Sequence, residues 1–72
     1  MKIVESFGAR LQSIRKTHGL SQEKLSELSG LHRTYISSLE RGTRNPTLTT
    51  LSVIANALNV EIAYLVSGIS DE

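Results

Sequence analysis

The chain has no cysteine among its 72 residues. That absence excludes a disulfide framework and a thiolate zinc site, and it fits a reducing cytoplasm, where the protein is expected to reside. No run approaches the roughly 18 apolar residues needed to cross a bilayer, so no membrane partner is expected. Lys2 is followed by no long apolar stretch, so no secretory leader is read. Low-complexity segments and internal repeats are absent. So is any alternation long enough for a strand: the one β-like string, Val60 to Val66, is broken by Glu61 and Ala63. His18 and His32 are the only histidines, too few for a metal site without other ligands at suitable spacing. Serines are abundant, but a catalytic triad also needs an oriented base and an oxyanion pocket, for which so small a chain has little room. No catalytic residue, metal or cofactor is expected, and the chain does not read as an enzyme. Its length allows one domain, residues 1–72, burying only about 60% of its unfolded surface.

A net charge of +1 says little about partners, but its distribution says more. Residues 1–47 hold all eight Lys and Arg against Glu5, Glu23, Glu27 and Glu40. Residues 48–72 hold only Glu61, Asp71 and Glu72. One end is basic and the other acidic, as expected when one face meets phosphates and the other does not.

Apolar spacing and end signals predict five short helices and an all-α fold. The first runs from about Phe7 to His18, with Ser6 as N-cap, a stripe of Phe7, Leu11 and Ile14, and Gly19 as stop. Gly8 is a mild liability to it. The second runs from about Gln22 to Ser29, capped by Ser21, with Leu25 and Leu28 facing the core and Gly30 allowing a sharp turn. The third runs from about Arg33 to Arg41, with Ile36 and Leu39 inward and Gly42 closing it. After a loop in which Pro46 biases Asn45 away from helix, Thr47 caps a fourth from Leu48 to Leu58. Its apolar set is Leu48, Leu51, Ile54, Ala55 and Leu58, and Asn59 can adopt the left-handed conformation that stops it. A fifth spans about Glu61 to Val66, and Ser70-Asp71-Glu72 reads as a fraying end.

Two short helices joined by Gly30-Leu31-His32 are the central feature, spanning about residues 21–41. Leu25, Leu28, Leu31, Ile36 and Leu39 hold the third helix from below. Its outward face is then Arg33, Thr34, Tyr35, Ser37, Ser38 and Arg41, which carries no acid to be repelled by phosphate. Leu20-Ser21-Gln22-Glu23-Lys24-Leu25, Gly30-Leu31, Ile36-Ser37-Ser38-Leu39-Glu40-Arg41-Gly42 and Asn45-Pro46-Thr47-Leu48 together resemble the lambda-repressor-like (Cro/Xre) helix-turn-helix family. The likeness covers about residues 7–67. Within that family, Leu31 to Ser37, Glu40-Arg41-Gly42 and Arg44-Asn45 look like the controller proteins of restriction–modification systems. The resemblance implies a compact five-helix domain, a palindromic operator and transcriptional control, both activating and repressing in the controller group. It implies double-stranded DNA and a second copy of the chain as partners, with RNA polymerase as a further candidate. It also implies a structural ion pair between Arg15 and Glu40, tying the first helix to the end of the third.

The residues themselves support roles at DNA. Arg33 opens the third helix, the end that reaches base edges in this kind of docking, and arginine reads guanine through O6 and N7. Thr34 can bond a base edge or meet a thymine methyl. Tyr35 can stack or bond near a phosphate, or be partly buried against the second helix. Ser37 and Ser38 are short, so their contacts would be close or water-mediated. Arg44 and Asn45 follow with a phosphate contact or a reach to an outer base pair, or Arg44 is a solvated loop charge. Gln22, at a helix N-terminus, suits a phosphate.

One such domain touches too few base pairs for strong specificity, whereas two on a two-fold axis would read half-sites about one helical turn apart. The expected interface lies in about residues 58–69, with Asn59, Val60, Glu61, Tyr64, Leu65 and Ile69 as candidates. Leu58 and Ile62 could serve there or in the core. Alternatives are an antitoxin, against which the lack of a long disordered tail counts, and a phage-type repressor. Met1 at the start and a polar tail at the end argue for a stand-alone domain.

Overall fold

In a computed structural model that describes all 72 residues, five helices and no strand make up the fold. The first helix, α1, spans Lys2–Thr17 and begins well before Ser6. Val4 extends the expected stripe by a further turn and is buried with Phe7, Leu11 and Ile14, which stabilises the added residues without a capping side chain. Ser6 serves another purpose: its Oγ accepts a bond of 3.1 Å from the Ser70 amide. The Ile3 amide donates to Asp71 Oδ1 at 3.0 Å, so the C-terminal residues are tied to α1 rather than frayed.

Helix α2, Gln22–Ser29, is capped by Ser21, whose Oγ accepts from the Lys24 amide at 2.9 Å. Gly30 ends it at φ 78°, a conformation that costs glycine little. Helix α3, Arg33–Glu40, stops one residue earlier than its spacing suggested, with Arg41 as C-cap. Helix α4, Leu48–Leu58, has Thr47 Oγ1 accepting from the Thr50 amide at 3.0 Å, and Asn59 closes it at φ 58°. Helix α5 is a single turn, Ile62–Leu65, flanked by Glu61 and Val66 as caps rather than helical residues.

Each helix contributes to one core: Phe7, Leu11 and Ile14; Leu25; Ile36 and Leu39; Ile54, Ala55 and Leu58; Leu65. Helix α3 packs on α1 and α2, while α4 joins α2 to α5, and α5 returns to α1. Leu58 is therefore core, and Ile62 packs half-buried against it. Two expected core residues are not. Leu28 is 50% exposed, because Leu31 from the turn packs against the core instead. Leu48 is 73% exposed: it opens α4 one turn beyond Leu51, which is itself only partly buried.

Gly8 lies in the middle of α1 and sets how closely α3 approaches. A Cβ there would strike the Leu39 carbonyl and stand 2.6 Å from the Glu40 carbonyl oxygen. The residue that weakens α1 as a helix lets it meet the last turn of α3 backbone to backbone.

Candidate nucleic-acid interface

Helix α3 is fastened at its C-terminal end. Besides the Gly8 contact, Arg15 Nε donates to Glu40 Oε2 at 2.6 Å and Arg15 Nη2 donates to Glu40 Oε1 at 3.0 Å. Arg15 Nη1 donates to the Leu20 carbonyl at 2.7 Å. This two-pronged pair is the one salt bridge of the fold, and it is shielded: the side chains retain 9% and 2% of their exposure. The Arg15 guanidinium is held above the ordinary arginine range, chiefly by its hydrogen bond with Glu40. Burial pulls the other way, and the charges of Glu40 and Glu23 add to the rise.

The N-terminal end of α3 stands free. Arg33 and Thr34 are exposed at its start, after the extended residue His32. Arg41 is exposed at the other end, and its Nη1 donates to Ser37 Oγ at 2.6 Å along the same face. Arg44 and Asn45 are exposed on the loop before α4. With the fold's only salt bridge spent on Arg15, Arg33, Arg41 and Arg44 carry charge that no carboxylate neutralises. Glu40, the one acid of α3, is turned into the pair. The result is a positive surface with donors directed outward.

Ser38 does not share that surface. It is only 9% exposed, and its Oγ donates to the Tyr35 carbonyl at 2.6 Å. Helical phase alone would set Ser38 beside exposed Thr34, one turn away; its cover comes from the following loop, where Thr43 folds back to donate twice to the Ser38 carbonyl. Tyr35 is half-buried, packs against the core, and has its hydroxyl 3.5 Å from Thr50 Oγ1. Gln22 is half-buried, and its Nε2 donates to Glu40 Oε1 at 3.1 Å. A carboxylate only accepts, so the amide must present its NH2 there, leaving the second N–H for another partner. His18 Nδ1 donates to the Ile14 carbonyl at 2.9 Å and so serves the end of α1.

The residues expected at a dimer interface separate into groups. Asn59, Val60, Glu61 and Tyr64 line one open groove together with His18 and Ala63. Leu65 is fully buried and belongs to the core. Ile69 lies elsewhere, in a small apolar cavity of about 190 Å³ with Ile3, Phe7 and Pro46. Arg10 carries no signal of its role in the sequence, yet its guanidinium sits 4.7 Å from the Tyr64 ring centroid and its Nη2 donates to the Tyr64 carbonyl at 2.8 Å. Fifty-four positions separate the two, and no local pattern links them.

A helix-turn-helix family model matches residues 11–65, which takes in α2, α3 and the elements that support them. The chain belongs to that family. Among its helix-turn-helix relatives, control protein C.SmaI of Serratia marcescens is 47% identical over 74 residues, spanning all of this chain and 88% of that protein. The restriction–modification controller protein C.AhdI from Aeromonas hydrophila superposes with a TM-score of 0.84 at 45% identity, over 86% of this chain and 94% of its own. The controller protein C.Esp1396I, solved as a tetramer on its natural 35 base-pair operator, superposes with a TM-score of 0.84 at 34% identity, over 90% of this chain and 86% of its own. The five-helix, lambda-repressor-like architecture expected from the sequence is thus the one these controller proteins have.

Proposed function

We propose that this chain is a sequence-specific, double-stranded DNA-binding transcriptional regulator of the restriction–modification controller type, acting in the cytoplasm as a homodimer on a palindromic operator. The observation that carries the reading is the asymmetry of α3: its C-terminal end is locked by Gly8 and by Arg15–Glu40, while Arg33 and Thr34 at its other end are free to enter a groove. A rigid helix presenting an arginine at its leading end is what base readout in the major groove requires. Gln22, Arg41, Arg44 and Asn45 stand around α3 as donors to phosphate, with Ser37 beside Arg41. The likeness to C.Esp1396I, solved on operator DNA, supports this role, and the family is one of regulators rather than catalysts. Activation would add RNA polymerase as a partner.

Selection of bound duplexes from a random pool tests the proposal. A two-fold symmetric sequence should emerge. Arg33→Ala should weaken binding to it by about 1–3 kcal/mol and relax preference at one base position of each half-site. Failure to enrich any duplex would overturn the reading.

A further inference from the structure

The loop that carries Arg44 is organised from beneath by Tyr35. At its start, the Ser38 carbonyl accepts from both the Thr43 amide and Thr43 Oγ1, each at 3.0 Å. Ser38 Oγ in turn donates to the Tyr35 carbonyl. At the loop's far end, Thr47 and Thr50 form the cap of α4, and Tyr35 directs its hydroxyl toward Thr50 Oγ1. Between these two ends the Arg44 guanidinium lies over the Tyr35 ring, 5.2 Å from its centroid, within the range of a cation–π contact. Arg44 has no carboxylate partner and is exposed, so the ring is the partner that limits its freedom. The ring is itself immobilised, because Tyr35 packs against the core.

We propose that Tyr35 is the positioning residue for Arg44: its ring is a shelf that holds the guanidinium at the DNA-facing edge of the loop before DNA arrives. This rests on the reading of Arg44 as a DNA contact. A long arginine on an open loop otherwise loses rotamer freedom when it binds, and prior stacking reduces that loss. The shelf also explains why a serine in a recognition helix turns inward: Ser38 anchors the loop's first residue to the same helix that supplies the ring.

The experiment is a double-mutant cycle on the selected duplex, joined to an NMR measurement on the DNA-free protein. Tyr35→Leu keeps an apolar body against the core and removes the ring face. It should weaken binding roughly threefold to tenfold. Arg44→Ala should weaken it roughly fivefold to a hundredfold. In the Arg44→Ala background, Tyr35→Leu should add nothing. Tyr35→Phe, which keeps the ring, should bind within about twofold of the parent. Without DNA, the Arg44 Nε–H resonance should shift in Tyr35→Leu and stay in place in Tyr35→Phe. Equal losses from Tyr35→Leu in both backgrounds, or an Arg44 resonance indifferent to the ring, would overturn the shelf while leaving Arg44 at the DNA. Undiminished binding by Arg44→Ala would remove Arg44 from the interface and overturn both readings.

Discussion

Single residues in this protein are used for what their neighbours make of them. Gly8 by propensity should be replaceable by alanine at a gain, yet the added methyl would meet two backbone carbonyls that have no side-chain freedom with which to yield. Gly8→Ala should therefore lower stability by about 1–3 kcal/mol in denaturant unfolding, against the roughly 1 kcal/mol of helix propensity it gains. Arg15 and Glu40 are similarly interdependent. Arg15→Met alone strands a carboxylate that is almost completely covered and should lower stability by roughly 3–5 kcal/mol, whereas pairing it with Glu40→Leu should recover most of that loss. The raised pKa of Arg15 fixes the sign of its pH dependence. A group whose folded value is raised stabilises at every pH below its unfolded value and loses that contribution only as pH climbs through the folded one. For an arginine that window lies beyond ordinary handling, so titration of Arg15 should leave no step in a plot of stability against pH.

At the scale of the element, apolar spacing identifies a helix better than it identifies which of its residues are covered. Helix α4 carries an apolar stripe from Leu48 to Leu58, but its ends differ sharply: Leu48 is 73% exposed and Leu58 is 2% exposed. Leu48→Lys should leave the melting behaviour within about 0.5 kcal/mol of the parent, while Leu58→Ala should lower stability by about 2–5 kcal/mol. Equal losses at the two positions would mean that Leu48 is covered in solution. Helix α3 has the complementary lesson. Its inward pair, Ile36 and Leu39, was legible as i and i+3, but Ser38, off that side, is covered as well because the loop at Thr43 folds back on it, and contact with a loop leaves no hydropathy signal.

For the whole molecule, the distribution of charge matters more than its sum. Arg33, Arg41 and Arg44 stand on α3 and directly after it, while Asn59, Glu61 and Tyr64 line a groove at the acidic end of the chain. Binding to DNA should weaken steeply as salt rises, because phosphate neutralisation releases counterions. If the Tyr64 groove joins two copies, Tyr64→Glu should yield a monomer in sedimentation and weaken duplex binding by about tenfold or more through loss of the second half-site. An unaltered dimer would move the interface away from that groove. Arg10 belongs to this scale, since only the packing of α5 on α1 brings its guanidinium to Tyr64.

Local signals along the chain were enough for the all-α class, the turn at Gly30, the caps at Ser21 and Thr47, the stop at Asn59 and the exposed positions of Arg33, Thr34 and Arg44. Each follows from interactions within a few residues, where backbone conformation and helical phase suffice. Family resemblance added the Arg15–Glu40 pair. Tertiary structure alone decided the earlier start of α1, the tethered tail, the close approach at Gly8, the exposure of Leu28 and Leu48, the burial of Leu65 and the stacking of Arg44 on Tyr35. These depend on which elements meet and at what distance, and contacts between remote residues leave no periodicity along the chain.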